Sequence, residues 1–196
     1  MMKPLLTILF LLLAGLRPAV KTKNTSRWVV SENSMLTVNG STNINRFSCV
    51  ILRYSKTDTV LVSKDKADHI ALSGTLNLEV KNFDCSSAMM TKQLLNTLQE
   101  NRFPVLRIKF LSLKEIPSEG QNSFVKGDVE ITLSGVLKRF EICYQINVKR
   151  GTIELIGQQA INFSDFHLIP PRKIGRLIQA KDQLLVAFFL KMERAG

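Results

Sequence analysis

The sequence predicts an all-β protein with one helix, its strands antiparallel and regular enough to close into a barrel. Three observations carry that expectation. First, residues 126–148, KGDVEITLSGVLKRFEICYQINV, alternate: Val129, Ile131 and Leu133 are apolar between polar neighbours, and after Gly135 the parity flips to Phe140, Ile142, Tyr144, Ile146 and Val148. A period of two marks a strand with one wet and one dry face. Second, the strands are long. Residues 69–80 would extend about 40 Å at ~3.3 Å per residue, against a usual length of about 5–6 residues. Third, a single segment has helical spacing. Long strands with one continuous apolar face suit closure, which removes exposed sheet edges, and an eight-strand barrel is either filled by its own side chains or holds one small ligand. A two-layer sandwich would alternate in the same way.

Taken in order, RWVV (27–30), SMLTVNG (34–40) and RFSCVILRY (46–54) read as the first strands. HIALSGTLNLEVKNF (69–83) follows, with Leu76, Leu78 and Val80 on one face. SSAMMTKQLLNTLQENRFP (86–104) opens on serines able to cap a helix and stops at Pro104. Met90, Leu94 and Leu98 fall four apart with Leu95 beside them, which gives one apolar stripe. VLRIKFLSL (105–113) sets Leu106, Ile108 and Phe110 against Arg107 and Lys109. Two strands within 126–148, then GTIELIGQQAINF (151–163) and DQLLVAFFLKM (182–192), complete the set. Turns fall at SEGQNS and KRGT, each with a glycine among polar residues, so neighbours joined by them pair antiparallel.

At 196 residues, 45% hydrophobic and 22% charged, the chain is long enough for one domain with a proper core, expected over 21–196, and its composition excludes bulk disorder. Residues 1–20 read as a signal peptide: Lys3, an apolar run from Leu5 to Leu16, then LRPA. That run is too short to span a bilayer, and Leu16 stands where a lipoprotein anchor would need cysteine. Removing it takes away Lys3 and Arg17 and no acid, so the formal charge of +11 becomes +9. An exported chain meets an oxidising compartment, so its three cysteines are expected to give one disulfide and one thiol. Cys49 and Cys85 sit in similar contexts, RFSC and NFDC, and are the expected pair. Cys143 lies opposite the apolar set of its strand. No zinc spacing occurs, and no metal or cofactor is expected.

The order of these pieces resembles the YceI-like family. The matching points are the early Trp28 strand, FSC (47–49), FDCSSAMM leading into the helix, and FPVLRIKF beginning a strand straight after Pro104. KGDVEITLSGVLKRFEI resembles that family's glycine-x-leucine-x-isoleucine-x-glycine strand pair, and INFSDFHLIPP (161–171) with DQLLVAFFLKM completes the order. The chain lacks the histidine-serine found near the first strands of many relatives, has STNINRF (41–47) there, and looks more like the cysteine-bearing secreted branch. The resemblance implies a lipocalin-like eight-stranded antiparallel barrel, periplasmic or secreted. It further implies a tunnel holding a long isoprenoid, quinone or similar lipid, with no catalysis.

The inward faces expected to meet such a chain are Leu76, Leu78, Val80, Leu106, Ile108, Phe110, Val129, Ile131, Leu133, Ile142, Tyr144 and Ile146. The plainer reading is that they pack on each other in a filled, non-binding module. Tyr144 stands out, since a buried hydroxyl wants a partner and a ligand head group would supply one. Arg172, Lys173, Arg176 and Lys181 cluster in an expected loop, PPRKIGRLIQAK (170–181), where cations suit a lipid phosphate or an anionic membrane surface. Other basic residues are dispersed, as on a solvated outer face. Nucleic-acid binding would need stacking aromatics among the cations, and aromatics are 7% of the chain. An enzyme would have to use His69 or His167, which are far apart in sequence and without a nucleophile motif.

Overall fold

The computed structural model describes residues 25–64, 69–173 and 177–195. The expected signal peptide and Arg176 lie outside them. Twelve strands are present among the described residues: β1 Thr25–Val30, β2 Met35–Ser41, β3 Arg46–Ile51, β4 Thr59–Lys64, β5 Ile70–Glu79, β6 Val105–Leu113, β7 Asn122–Leu133, β8 Val136–Lys149, β9 Thr152–Asn162, β10 Arg172–Lys173, β11 Ile178–Gln179 and β12 Gln183–Arg194. One α-helix, α1 Ala88–Thr97, lies between β5 and β6.

Ten strands form one antiparallel sheet in the order β1-β4-β5-β6-β7-β8-β9-β12-β2-β3, and β12 also pairs with β1. That last pairing closes the ring. The register shows why ten strands fill eight positions. Val30 faces Met192 and Met35 faces Phe189, so β1 and β2 are two halves of one strand laid along β12. Ile51 faces Leu36 and Thr59 faces Val29, so β3 and β4 are likewise two halves of the next. The architecture is therefore a closed eight-stranded antiparallel barrel, and a sandwich is excluded.

Each break is patched by polar groups, as buried backbone amides require. At the first, the Ser34 hydroxyl accepts from the Lys191 amide at 3.1 Å and donates to the Lys191 carbonyl at 3.3 Å. At the second, the buried Tyr54 hydroxyl donates to the Asp58 carboxylate. The Asn77 amide donates to the Tyr54 hydroxyl and to Asp58 Oδ2, at 3.0 Å each. Asn77 pairs with Arg107 of β6 on one side, and on the other these groups stand in for a strand, since β4 pairs with β5 only over residues 70–73.

Four expectations need correction. Residues 55–64 carried no recognised strand, yet β4 occupies 59–64: Val60 and Val62 point in, but Leu61 between them is exposed, and three apolar residues in a row hide the alternation. The strand expected to reach Tyr54 ends at Ile51, and Leu52 is exposed. The strand carrying Leu76 and Leu78 ends at Glu79. Val80 begins a 3-10 turn, Val80–Asn82, with its amide bonded to the Pro104 carbonyl at 2.9 Å. Finally, the loop expected over 170–181 contains a short hairpin, with Arg172 facing Gln179 and Lys173 facing Ile178.

Helix α1 caps one end of the barrel, called here the helix end. Ser87 is its N-cap residue but makes no side-chain cap bond. The carboxylate of Asp84 accepts the Ser86 amide at 2.8 Å, and Thr91 Oγ1 accepts the Cys85 amide at 3.0 Å. At the other terminus, Glu100 N donates to Leu95 O and Gln99 N to Asn96 O, with Gln99 at φ +54. That is a Schellman motif with glutamine in the left-handed position. The two-residue turn joining β7 to β8, Ser134 and Gly135 at φ +49 and +81, docks onto it. Ser134 Oγ donates to the Leu98 carbonyl at 2.8 Å, and a β-carbon at 135 would sit 2.8 Å from the Phe103 ring.

Candidate functional site: the barrel interior

Inward residues fill the barrel unevenly along its length. At the end opposite the helix, Val30, Val60, Ile70, Ile146, Leu155 and Met192 are buried. In the middle is an apolar hollow of about 60 Å³, walled chiefly by β2, β5–β8 and β12. A second hollow of about 50 Å³ lies beneath α1, floored by Leu94 and Leu98. The two share Leu36, Ile108, Ile131, Ile161 and Val186, so they adjoin along the barrel.

Of the residues singled out from sequence, Leu76, Leu78, Ile108, Phe110, Ile131, Ile142 and Tyr144 line the middle hollow. Leu106 and Leu133 line the one beneath the helix. Val80, Val129 and Ile146 are almost fully buried and line neither, so for these three the structure gives close packing. Sequence reasoning missed the opposite wall: Leu36 on β2, Ile161 on β9, and Val186, Phe188 and Leu190 on β12. The run LLVAFFL (184–190) is apolar on both faces, so its parity could not be read.

Two glycines shape the middle hollow. Gly157 faces inward, and a β-carbon there would stand 2.2 Å from Cζ of Phe188. The ring of Phe188 therefore lies flat on the wall instead of across the lumen. Its edge meets Tyr144, with ring centroids 5.4 Å apart at 62°. A β-carbon at Gly127 would in turn crowd the Ser112 carbonyl at 2.5 Å and Tyr144 Cε2 at 3.1 Å.

Few polar groups reach this wall. Ser34 and Tyr54 are spent on the strand breaks, and Gln159 Nε2 donates to the Ala160 carbonyl at 2.9 Å. Tyr144 is nearly fully buried. Burial, reinforced by the charge of Asp128, pushes its phenol well above the ordinary tyrosine range. It is a neutral hydroxyl at any physiological pH.

Cys49 and Cys85 are joined in a disulfide, and Cys143 is exposed with a free thiol. His69 precedes β5 at the end opposite the helix, whereas His167 follows β9 at the helix end, so the barrel's length separates them. Among the described residues no three His, Cys, Asp or Glu side chains gather as a metal site. On the outer wall Lys109 pairs with Glu130 at 3.2 Å, Arg139 with Asp128 at 2.9 Å and Lys126 with Glu141 at 2.6 Å. Arg172 and Lys181 are exposed beside the helix end. No described helix is long and apolar enough to cross a membrane.

A closed barrel of eight antiparallel strand positions, with one helix over its end and an apolar interior, is the lipocalin-like architecture of YceI-like proteins. Among solved structures, the chain is similar to a polyisoprenoid binding domain from Saccharophagus degradans, with TM-score 0.61 and 10% identity over 86% of this chain and 98% of that one. It is also similar to BcnA of Burkholderia cenocepacia, with TM-score 0.58 and 17% identity over 81% and 95%. A YceI protein of Campylobacter jejuni gives 0.51 and 16% over 72% and 82%. No protein-family model and no curated protein matches the sequence.

Proposed function

We propose that the protein is an exported carrier that holds a long apolar chain, an isoprenoid, quinone or similar lipid, inside its barrel and performs no chemistry on it. The observation that carries this reading is the pair of adjoining apolar hollows at the middle and helix end of the barrel. The resemblance in fold to a domain described as polyisoprenoid binding supports the same ligand class. Export rests on the sequence of residues 1–20.

Energetically, each buried methylene contributes about 0.8 kcal/mol. Ten of them supply roughly 8 kcal/mol gross, a micromolar affinity before ordering costs. No charged residue is needed for that. Space is the constraint: a cavity of about 150 Å³ takes one benzene, so hollows of about 60 and 50 Å³ seat a long chain only if wall side chains swing aside. The same small volumes favour a second reading, a filled module that binds nothing.

Native mass spectrometry of protein purified from its own source, with uptake of polyprenyl probes, decides between them. A carrier arrives with lipid or takes up the probe; a filled module does neither. Ile131→Trp sharpens the distinction. In a carrier it abolishes uptake at little cost in stability, whereas in a filled core it overpacks and costs about 1–3 kcal/mol.

A further inference from the structure

A third cavity lies on the outer side of α1, at the helix end. Its volume is about 120 Å³, twice that of the middle hollow. The Cys49–Cys85 disulfide, Met90 and Ile178 of the β10–β11 hairpin wall it, and Thr42, Asn45 and Gln93 supply its polar groups. Leu94 belongs both to this cavity and to the hollow beneath the helix. The second hollow in turn adjoins the first. Three cavities thus run from the barrel's middle to its helix end, and Leu94 is the residue whose side chain the linings of the last two share. At the opposite end Ile146 and Leu155 are fully buried.

The chemistry of the outer cavity differs from that of the inner two. Among the described residues its wall carries hydroxyl and carboxamide groups and no charge. Gln93 spends its Nε2 on the Arg172 carbonyl at 3.4 Å, which leaves the carboxamide oxygen to accept from a guest. Thr42 Oγ1 donates to Asn45 Oδ1 at 2.6 Å, so what Asn45 offers a guest is its amide nitrogen, a donor. A neutral end group that hydrogen-bonds, an alcohol or a carbonyl, is matched by this set. A charged one would be desolvated without a counter-ion.

We propose that this outer cavity is the ligand's entrance and seats its uncharged polar end, with Leu94 the side chain that moves aside to pass the chain. The proposal rests on the carrier reading above and adds the route and the end-group chemistry to it.

The test uses the whole protein, tritiated geranylgeraniol, and the hydrocarbon of the same carbon count. Ala180→Trp fills the outer cavity from its rim. It is expected to slow loading and release of both probes by about tenfold or more while leaving hydrocarbon affinity within about twofold, the signature of a blocked path to an intact site. Gln93→Leu, at the half-buried wall of this cavity, is expected to weaken alcohol binding by about two- to tenfold and to weaken hydrocarbon binding far less. Leu94→Ala is expected to speed both loading and release. Unaltered rates in Ala180→Trp, or equal effects of Gln93→Leu on both probes, overturn the proposal while the wild-type protein still loads. Failure of the wild-type protein to take up either probe removes the carrier reading as well, so the two failures are told apart.

Discussion

At Gly157 the absence of a side chain determines what the lumen can hold. Phe188 occupies the space a β-carbon would need, at 2.2 Å, so Gly157→Ala must push the ring toward the middle hollow. The expected result is a loss of about 1–3 kcal/mol, read as a lower urea midpoint at unchanged slope, together with weaker probe uptake. Tyr54 and Tyr144 give a second prediction at this scale. Burial raises both phenols in the folded protein, Tyr54 with added help from its bond to Asp58. A raised folded pKa stabilises fully below the unfolded value of about 10 and is lost as pH climbs beyond it. Stability should therefore be flat with respect to these groups at neutral pH and fall above about pH 10, and Tyr144→Phe should flatten that fall in an alkaline titration followed by circular dichroism. Leu76, Ile108 and Ile131 were legible because each stands between polar neighbours. Phe188 was not, because Ala187 and Phe189 beside it are apolar too.

At the scale of elements, the helix is held to the barrel by three fastenings of different chemistry. The disulfide ties its leading loop to β3, the Ser134 hydroxyl holds its last carbonyl, and Leu94 and Leu98 bury its apolar stripe. The disulfide joins residues with a sequence separation of 36, and a loop of that order restricts the unfolded state by roughly 3–4 kcal/mol. Replacing both cysteines, Cys49→Ser with Cys85→Ser, should lower stability by about 2–4 kcal/mol in denaturant titration and loosen α1, seen as faster amide exchange over 88–98. Strand β4 is the element that sequence periodicity overlooked. Its identity depends on partners far along the chain, since β1 and β5 bury Val60 and Val62 while Leu61 faces out. The breaks between β1 and β2 and between β3 and β4 were equally hidden. They are set by where Ser34 and Tyr54 can replace a missing partner, and that is a tertiary fact.

For the whole molecule, the formal charge is +11, and on the described exterior Lys109, Lys126 and Arg139 pair with nearby acids. Such surface pairs are each worth about 0–1 kcal/mol, so salt should change stability little. A ligand that binds only the folded barrel should change it more. At a free concentration 100 times its dissociation constant it adds about 2.7 kcal/mol, so a rise in melting temperature on adding geranylgeraniol measures occupancy without any label. The barrel as a class was legible in the sequence, because alternation repeats in β5, β6, β7 and β8. How much of its interior stays empty was not, because volume depends on the facing wall and on two glycines.

Strand β12 carries one last implication. Residues 183–194 are flanked by β9 on one side and by β1 and β2 on the other, so the first and last described strands meet only there. During synthesis the growing polypeptide cannot seal its circumference until residues 183–194 have emerged. A nascent chain unsealed until then remains threadable, which suits the export proposed above.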